Sequence, residues 1–199
     1  LPEPARRELL QSAQEEAQRL HRLVTNLLDI TRLESGAVDL QTEWMPLEEV
    51  VGATLNRREL ALEAHRVRVS LPEDLPLVAM DGVLMEQLLL NLLDNALKYS
   101  PPGTPVDIKA WAAGKSLTLS IADQGPGIPA GEQERIFEKL ARGQAASNRP
   151  GAGLGLAICK GIVTAHHGRI QAVNHPQGGA QFLVTLPLGT PPAMPEEAP

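Results

Sequence analysis

The sequence predicts an α+β domain preceded by one long helix, and three observations carry that reading. Residues 5–35 contain no glycine or proline and repeat apolar side chains at spacings of three and four. Four later segments alternate apolar and polar residues in the strand period, bounded by Gly, Pro, Asn and Asp. Two apolar helical patterns, 82–99 and 154–166, fall between groups of those segments, which favours hairpins over repeated βαβ crossovers.

In the first helix Leu9, Ala13, Ala17, Leu20, Leu23, Val24, Leu27, Leu28 and Ile30 form the apolar stripe. At about 1.5 Å per residue such a helix is about 45 Å long, too long for a small domain to cover. A partner helix is expected along it, and Gly36 stops it. Residues 37–48, AVDLQTEWMPLE, read as a short strand or linker, and a helix from about Leu47 to His65 follows. HRVRVSLPEDLPLVAMD gives two short strands around a proline-containing turn. Asp81 stands where an N-cap belongs and predicts a helix to about Tyr99. VDIKAWAA and SLTLSIAD follow as strands turning at Gly114.

From Gly125 to Gly155 the pattern changes: 31 residues with seven glycines and three prolines hold one short apolar segment, ERIFEKL. A stretch of this kind predicts a lid, a binding loop or disorder. Helix resumes over 154–166, GRIQAVNHPQGGAQFLVTLPL reads as a closing hairpin, and GTPPAMPEEAP as a disordered tail. His166 and His167 close a helix before Gly168, where capping and a cation at the negative helix end explain them.

Charge and composition exclude several functions. Eighteen Lys plus Arg against 24 Asp plus Glu give a net charge of −6 without a basic run, so no nucleic-acid partner is expected. The single cysteine, Cys159, lies in an apolar helical run, which leaves neither a disulfide framework nor a cysteine metal site and fits a reducing, cytoplasmic setting. No window approaches the ~18 apolar residues of a membrane span, and no charged-then-apolar leader opens the chain. No membrane contact by this chain is expected. The start LPEPARRELL, without an initiator methionine, suggests part of something longer or a processed form.

One helix face demands a chemical reason. In NLLDNALKYS the residues Asn91, Asp94, Asn95 and Lys98 recur at i, i+3, i+4 and i+7, while leucines occupy the other face. Two amides and a cation on one stripe can supply oxygen ligands to a hard metal ion and a positive charge to phosphate. Three glycine stretches follow: DQGPGIP (123–129), GAGLGLAICKGI (151–162) and GGAQF (178–182). Asp123 ends a strand and enters the glycine turn; alone, an Asp before Gly is a common turn former, but beside the other stretches its carboxylate can accept a hydrogen bond from a purine amino group while Gly125 and Gly127 allow backbone to approach the base. Gly151, Gly153 and Gly155 precede a helix whose N-terminal N–H groups can face phosphate.

These four stretches, in this order, resemble the N, G1, G2 and final glycine boxes of the GHKL ATPase superfamily, and within it the catalytic domain of sensor histidine kinases. IFEKLAR (136–142) looks like the F box, with Leu140 where the family often has a second aromatic. The wording of the boxes, with NLLDITRLESG before them, is most similar to potassium-responsive sensor kinases of the KdpD type. The resemblance covers roughly residues 9–188. It implies a two-layer α/β sandwich of the Bergerat type, binding ATP with Mg²⁺. Asn91, Asp94, Asn95 and Lys98 become the implied catalytic wall, with Asn95 the metal ligand. The implied nucleotide contacts are Asn91, Asn95, Lys98, Tyr99, Asp123, Gly125, Gly127 and Ile128, then Lys139 and Arg142 at the lid, then Gly151, Gly153, Leu154, Gly155 and Leu156.

The same resemblance divides the chain into 1–36, the second helix of a dimerisation hairpin; 37–48, a linker; 49–188, the catalytic domain; and 189–199, the tail. The phosphoacceptor histidine is expected upstream of residue 1, because His21 lacks the acidic neighbour and proline of the acceptor motif and lies in what resembles the second hairpin helix. The expected activity is transfer of the ATP γ-phosphoryl to that histidine, for relay to an aspartate of a KdpE-like response regulator. The chain is not expected to autophosphorylate alone. A second protomer and a parent anchored in the inner membrane are also implied. The alternatives are a clamp ATPase of the same superfamily or a degenerate nucleotide sensor; the coiled-coil stripe speaks against the first and the intact boxes against the second.

Overall fold

The computed structural model describes residues 3–34, 39–58, 66–139 and 153–190. In chain order its elements are α1 (Glu3–Glu34), β1 (Glu43–Met45), α2 (Leu47–Arg57), β2 (Arg66–Ser70), β3 (Val78–Met80), α3 (Gly82–Tyr99), β4 (Pro105–Ala113), β5 (Ser116–Ala122), a 3₁₀ turn (Arg135–Phe137), α4 (Gly155–Ala165), β6 (Arg169–Asn174) and β7 (Ala180–Pro187).

A five-stranded sheet in the order β2-β4-β5-β7-β6 forms one layer. Alternation sorts its faces: Val106, Ile108 and Ala110 of β4, Leu117, Leu119 and Ile121 of β5, and Phe182, Val184 and Leu186 of β7 are all buried. Register keeps them together, Ile108 opposite Ile121 and Ile121 opposite Phe182. The other face carries polar pairs, Arg68 with Asp107, Thr118 with Thr185 and Gln181 with Ser120. A sheet with one apolar face needs a single covering layer. Helices supply it: α3 buries Met85, Leu88, Leu89, Leu92, Leu93 and Ala96, and packs against both α2 and α4. This is the two-layer sandwich that the family resemblance implies.

The two short strands expected after residue 65 both form, but in different sheets. β3 pairs antiparallel with β1, whereas β2 joins the edge of the main sheet parallel to β4. The domain therefore contains one parallel crossover, through α3, beside its hairpins. The helix expected to reach His65 is described as far as Arg57; residues 59–65 lie outside the described residues, as do Gly36, residues 140–152 of the glycine-rich stretch, Leu140 among them, and residues 191–199.

Among the described residues, α1 joins the core at its C-terminal end. Ile30 is buried, and Leu33 packs on Gly161 of α4, where an added Cβ would lie 3.1 Å from Leu33 Cδ1. Leu9, Leu10, Leu20, Val24, Leu27 and Leu28 are more than half exposed. Among the described residues no helix is long and apolar enough to cross a membrane.

Two helix ends are tied together by a histidine. Asp81 caps α3, its Oδ1 accepting Val83 N–H and Leu84 N–H at 3.1 Å each, while its Oδ2 accepts Gln41 N–H at 3.1 Å. Its own N–H donates to Nε2 of buried His166 at 2.9 Å. Nε2 is therefore the unprotonated nitrogen, and Nδ1 donates to the Ile162 carbonyl at 2.8 Å. This corrects the sequence reading of His166 as a cation at the helix end: the ring is neutral and serves as an acceptor.

Candidate functional site

Helix α3 presents its polar face between two glycine turns. Near its middle, Asn91 meets the start of α4: a Cβ on Gly155 would lie 3.7 Å from the Asn91 side chain. The Asn91 amide lies against the Cys159 sulfur, a weak acceptor, and its buried Nδ2 has no nitrogen or oxygen partner among the described residues. A buried amide donor without an acceptor is costly unless a ligand completes it. Burial pushes the Cys159 thiol pKa far up, and its Sγ donates weakly to the Leu88 carbonyl at 3.7 Å, so the cysteine packs as a small apolar residue.

One turn further along, Asn95 is half-buried on the same side as Asn91, and Lys98 Nζ sits 4.9 Å from the centroid of the Tyr99 ring. Asp94 is exposed and pairs with Nη2 of Arg58 at the C-terminus of α2. The stripe thus splits: Asn91, Asn95 and Lys98 share one side of the helix by their spacing, and Asp94 reaches toward α2.

The C-terminal end of α3 meets the turn that follows β5. Gln124 N–H donates to Ser100 Oγ at 3.4 Å, and a Cβ on Gly125 would lie 2.9 Å from the Tyr99 carbonyl oxygen, so only glycine fits there. Asp123 is 5% exposed, and its Oδ1 accepts both Gly125 N–H at 2.7 Å and Ala180 N–H at 3.1 Å. Burial raises its pKa above the usual carboxylate value, and the two backbone donors partly oppose that rise. With Oδ1 accepting two donors, Oδ2 is the oxygen left to accept from a ligand.

Gly127 has a φ of +77° and Ile128 follows it, buried. On the far side, Gly153 has a φ of +69°, Leu154 is buried just before α4, and Gly155 and Leu156 open the helix. α4 is long enough for its N-terminal N–H groups to carry a useful positive end. Lys139 is exposed, at the end of the described segment, while Arg142 and Gly151 lie outside the described residues.

Sequence reasoning missed three participants. Arg58 gave no signal because it lies in an apparently solvated helix end. The buried acceptor His166 resembled a cap. Asn174, which bonds the backbone of Ile128, stood before His-Pro and resembled a turn former.

Residues 80–190 match the family described as Histidine kinase-, DNA gyrase B-, and HSP90-like ATPase. The sensor protein KdpD of Escherichia coli strain K12 is 49% identical over 175 residues, which cover 88% of this chain and 20% of that protein. The chain thus spans about a fifth of that relative. Among solved structures, the mycobacterial sensor histidine kinase MprB is similar at 32% identity with a TM-score of 0.65, over 73% of this chain and 97% of that one. Full-length ShkA in complex with AMPPNP gives a TM-score of 0.80 at 28% identity, over 94% of this chain and 40% of that one.

Proposed function

Because the chain belongs to the histidine kinase-, DNA gyrase B- and HSP90-like ATPase family, on its sensor histidine kinase branch, we propose that it carries ATP for phosphoryl transfer to a histidine that precedes residue 1. The single observation that carries the reading is the meeting of Asn91 and Gly155, where a buried amide donor with no nitrogen or oxygen partner among the described residues and a helix N-terminus converge beside one polar helix face.

In this reading Asp123 Oδ2 accepts the adenine amino group, and Gly125 and Gly127 let the backbone lie along the base. Asn91 Nδ2 and the first N–H groups of α4 bind phosphate oxygens, with Gly151, Gly153, Leu154 and Leu156 shaping that turn. Lys98 neutralises phosphate charge, Tyr99 lines the site beside it, and Lys139 and Arg142 reach the phosphates from the lid. The Asn95 amide oxygen would hold Mg²⁺, an ion that takes few protein ligands and so suits a site offering amides rather than a carboxylate cage. When bound, the ion supplies charge neutralisation across the phosphates. The protein's share of catalysis is then positioning and electrostatics.

Residues 1–36 act as the second helix of a dimerisation hairpin, joined by a linker over 37–48 to the catalytic domain at 49–188. The exposed apolar length of α1 supports a partner helix from the same hairpin and a second protomer. The likeness to KdpD supports a potassium-responsive, membrane-anchored parent whose cytoplasmic kinase passes its phosphoryl group to a KdpE-like response regulator.

Calorimetric titration of ATP, with and without Mg²⁺, into the chain and into Asp123→Asn tests the site. Saturable binding that weakens without Mg²⁺ and falls about 10- to 100-fold in the variant is expected for a lost buried polar contact. A folded wild-type chain that takes up no ATP at millimolar concentration overturns the reading. Phosphotransfer to a supplied acceptor domain follows.

A further inference from the structure

The turn after β5 is also held from the side away from α3. Asn174, the last residue of β6, accepts Ile128 N–H through Oδ1 at 2.7 Å and donates through Nδ2 to the Ile128 carbonyl at 3.0 Å. An amide side chain used in both directions copies the two-way pairing of a strand residue, so the edge of β6 gains one rung on a glycine turn. The approach is close enough to constrain the neighbour: a Cβ on Gly127 would lie 2.8 Å from Asn174 Oδ1.

The hairpin does not need this side chain for itself. His175 N–H donates to the Gly179 carbonyl at 2.9 Å, Gly178 N–H to the His175 carbonyl at 2.9 Å, and Gln177 N–H to His175 Nδ1 at 3.3 Å. Asn174 is also exposed, where water could satisfy its amide at no cost in ordering. Both of its hydrogen-bonding groups are spent instead on Ile128. Together with the Ala180 N–H bond to Asp123, this anchors the two ends of segment 123–128 to the same hairpin.

We propose that Asn174 is a positioning residue for the nucleotide: by fixing the Ile128 peptide it sets the span of the glycine turn over the base and the point from which residues 129–139 depart. It does not itself touch nucleotide. The inference rests on the reading of Asp123 as the base acceptor.

The test uses the whole chain as wild type, Asp123→Asn, Asn174→Ala and Asn174→Asp, titrated with ATP, ADP and, as a probe of the phosphate wall alone, Mg²⁺-tripolyphosphate, with a melting curve for each. Asn174→Ala is expected to bind ATP and ADP about tenfold more weakly, as for one or two lost net hydrogen bonds, with tripolyphosphate binding unchanged. Asn174→Asp keeps an acceptor for Ile128 N–H but sets a carboxylate against the Ile128 carbonyl, so it should bind ATP at least as weakly as the alanine variant. The inference is overturned if Asn174→Ala binds ATP within about twofold of wild type while Asp123→Asn does not. It is equally overturned if ATP, ADP and tripolyphosphate weaken together with a lowered melting temperature, which marks a merely structural role. If wild type binds no ATP, or Asp123→Asn binds as wild type does, the reading of the base site fails first and takes this inference with it.

Discussion

Asp123 and Ala180 hold each other twice: Asp123 N–H donates to the Ala180 carbonyl at 2.9 Å, and Ala180 N–H donates back to Asp123 Oδ1 at 3.1 Å. The first bond is a strand bond and survives any side chain at 123. The second goes to the same oxygen that Gly125 N–H uses, so a neutral amide oxygen can replace it.

Asp123→Asn should therefore separate stability from binding. Its Oδ1 can keep both backbone donors while the cost of burying a charge disappears, so the unfolding midpoint is expected to stay level or rise as ATP affinity falls. The pH dependence has a fixed sign. A native pKa raised by burial means that the stability tied to this proton is fully present below the unfolded-state value and is lost as pH rises through the native one. ATP affinity moves oppositely, falling as acid protonates the acceptor in that same window. Denaturant unfolding and calorimetry from pH 7 down to about 4, the ordinary carboxylate range, read both trends.

His166→Ala leaves the buried Asp81 N–H without its acceptor. A loss of about 1–3 kcal/mol is expected for an unsatisfied buried donor together with its lost packing. Equilibrium unfolding in urea measures it, and a change below about 0.5 kcal/mol would mean that water replaces the ring.

His167 occupies the left-handed position of a helix C-terminus, with a φ of 57°, its N–H bonded to the Thr164 carbonyl and Gly168 N–H to the Val163 carbonyl. Glycine is the favoured residue there. His167→Gly is expected to stabilise the domain by about 0.5–1 kcal/mol, the strain relieved outweighing the entropy added to the unfolded chain. A higher urea midpoint with an unchanged slope would show it.

Adjacent glycines should behave differently. A Cβ on Gly179 would lie 1.9 Å from the Asp123 carbonyl oxygen, whereas one on Gly178 meets nothing within 4 Å, although both have positive φ. Gly178→Ala is expected to cost about 1–2 kcal/mol in backbone strain. Gly179→Ala should cost more than about 3 kcal/mol and displace Asp123, with ATP binding lost in whatever fraction remains folded.

Much of the architecture was legible because it rests on periodicity. The leucine face of α3, the Asp81 cap, the Gly114 hairpin and the closing hairpin all follow from local pattern. The place of β2 was not legible: five residues with an exposed face pair with β4 across an intervening helix, and no local signal encodes such a partner. The box residues stand out in the sequence because glycine, aspartate and asparagine recur at telling positions. Arg58, His166 and Asn174 do not, because each works through a partner distant in sequence, 36, 85 and 46 residues away.

Asp81 spends its N–H on α4, its side chain on the first turn of α3 and on Gln41 of the linker, and its carbonyl on Met85. Three segments share one residue, so none of them can open without loosening the others. The segment before β1, α3 and the end of α4 are thus joined in a cooperative unit, while the exposed length of α1 can fray without disturbing it.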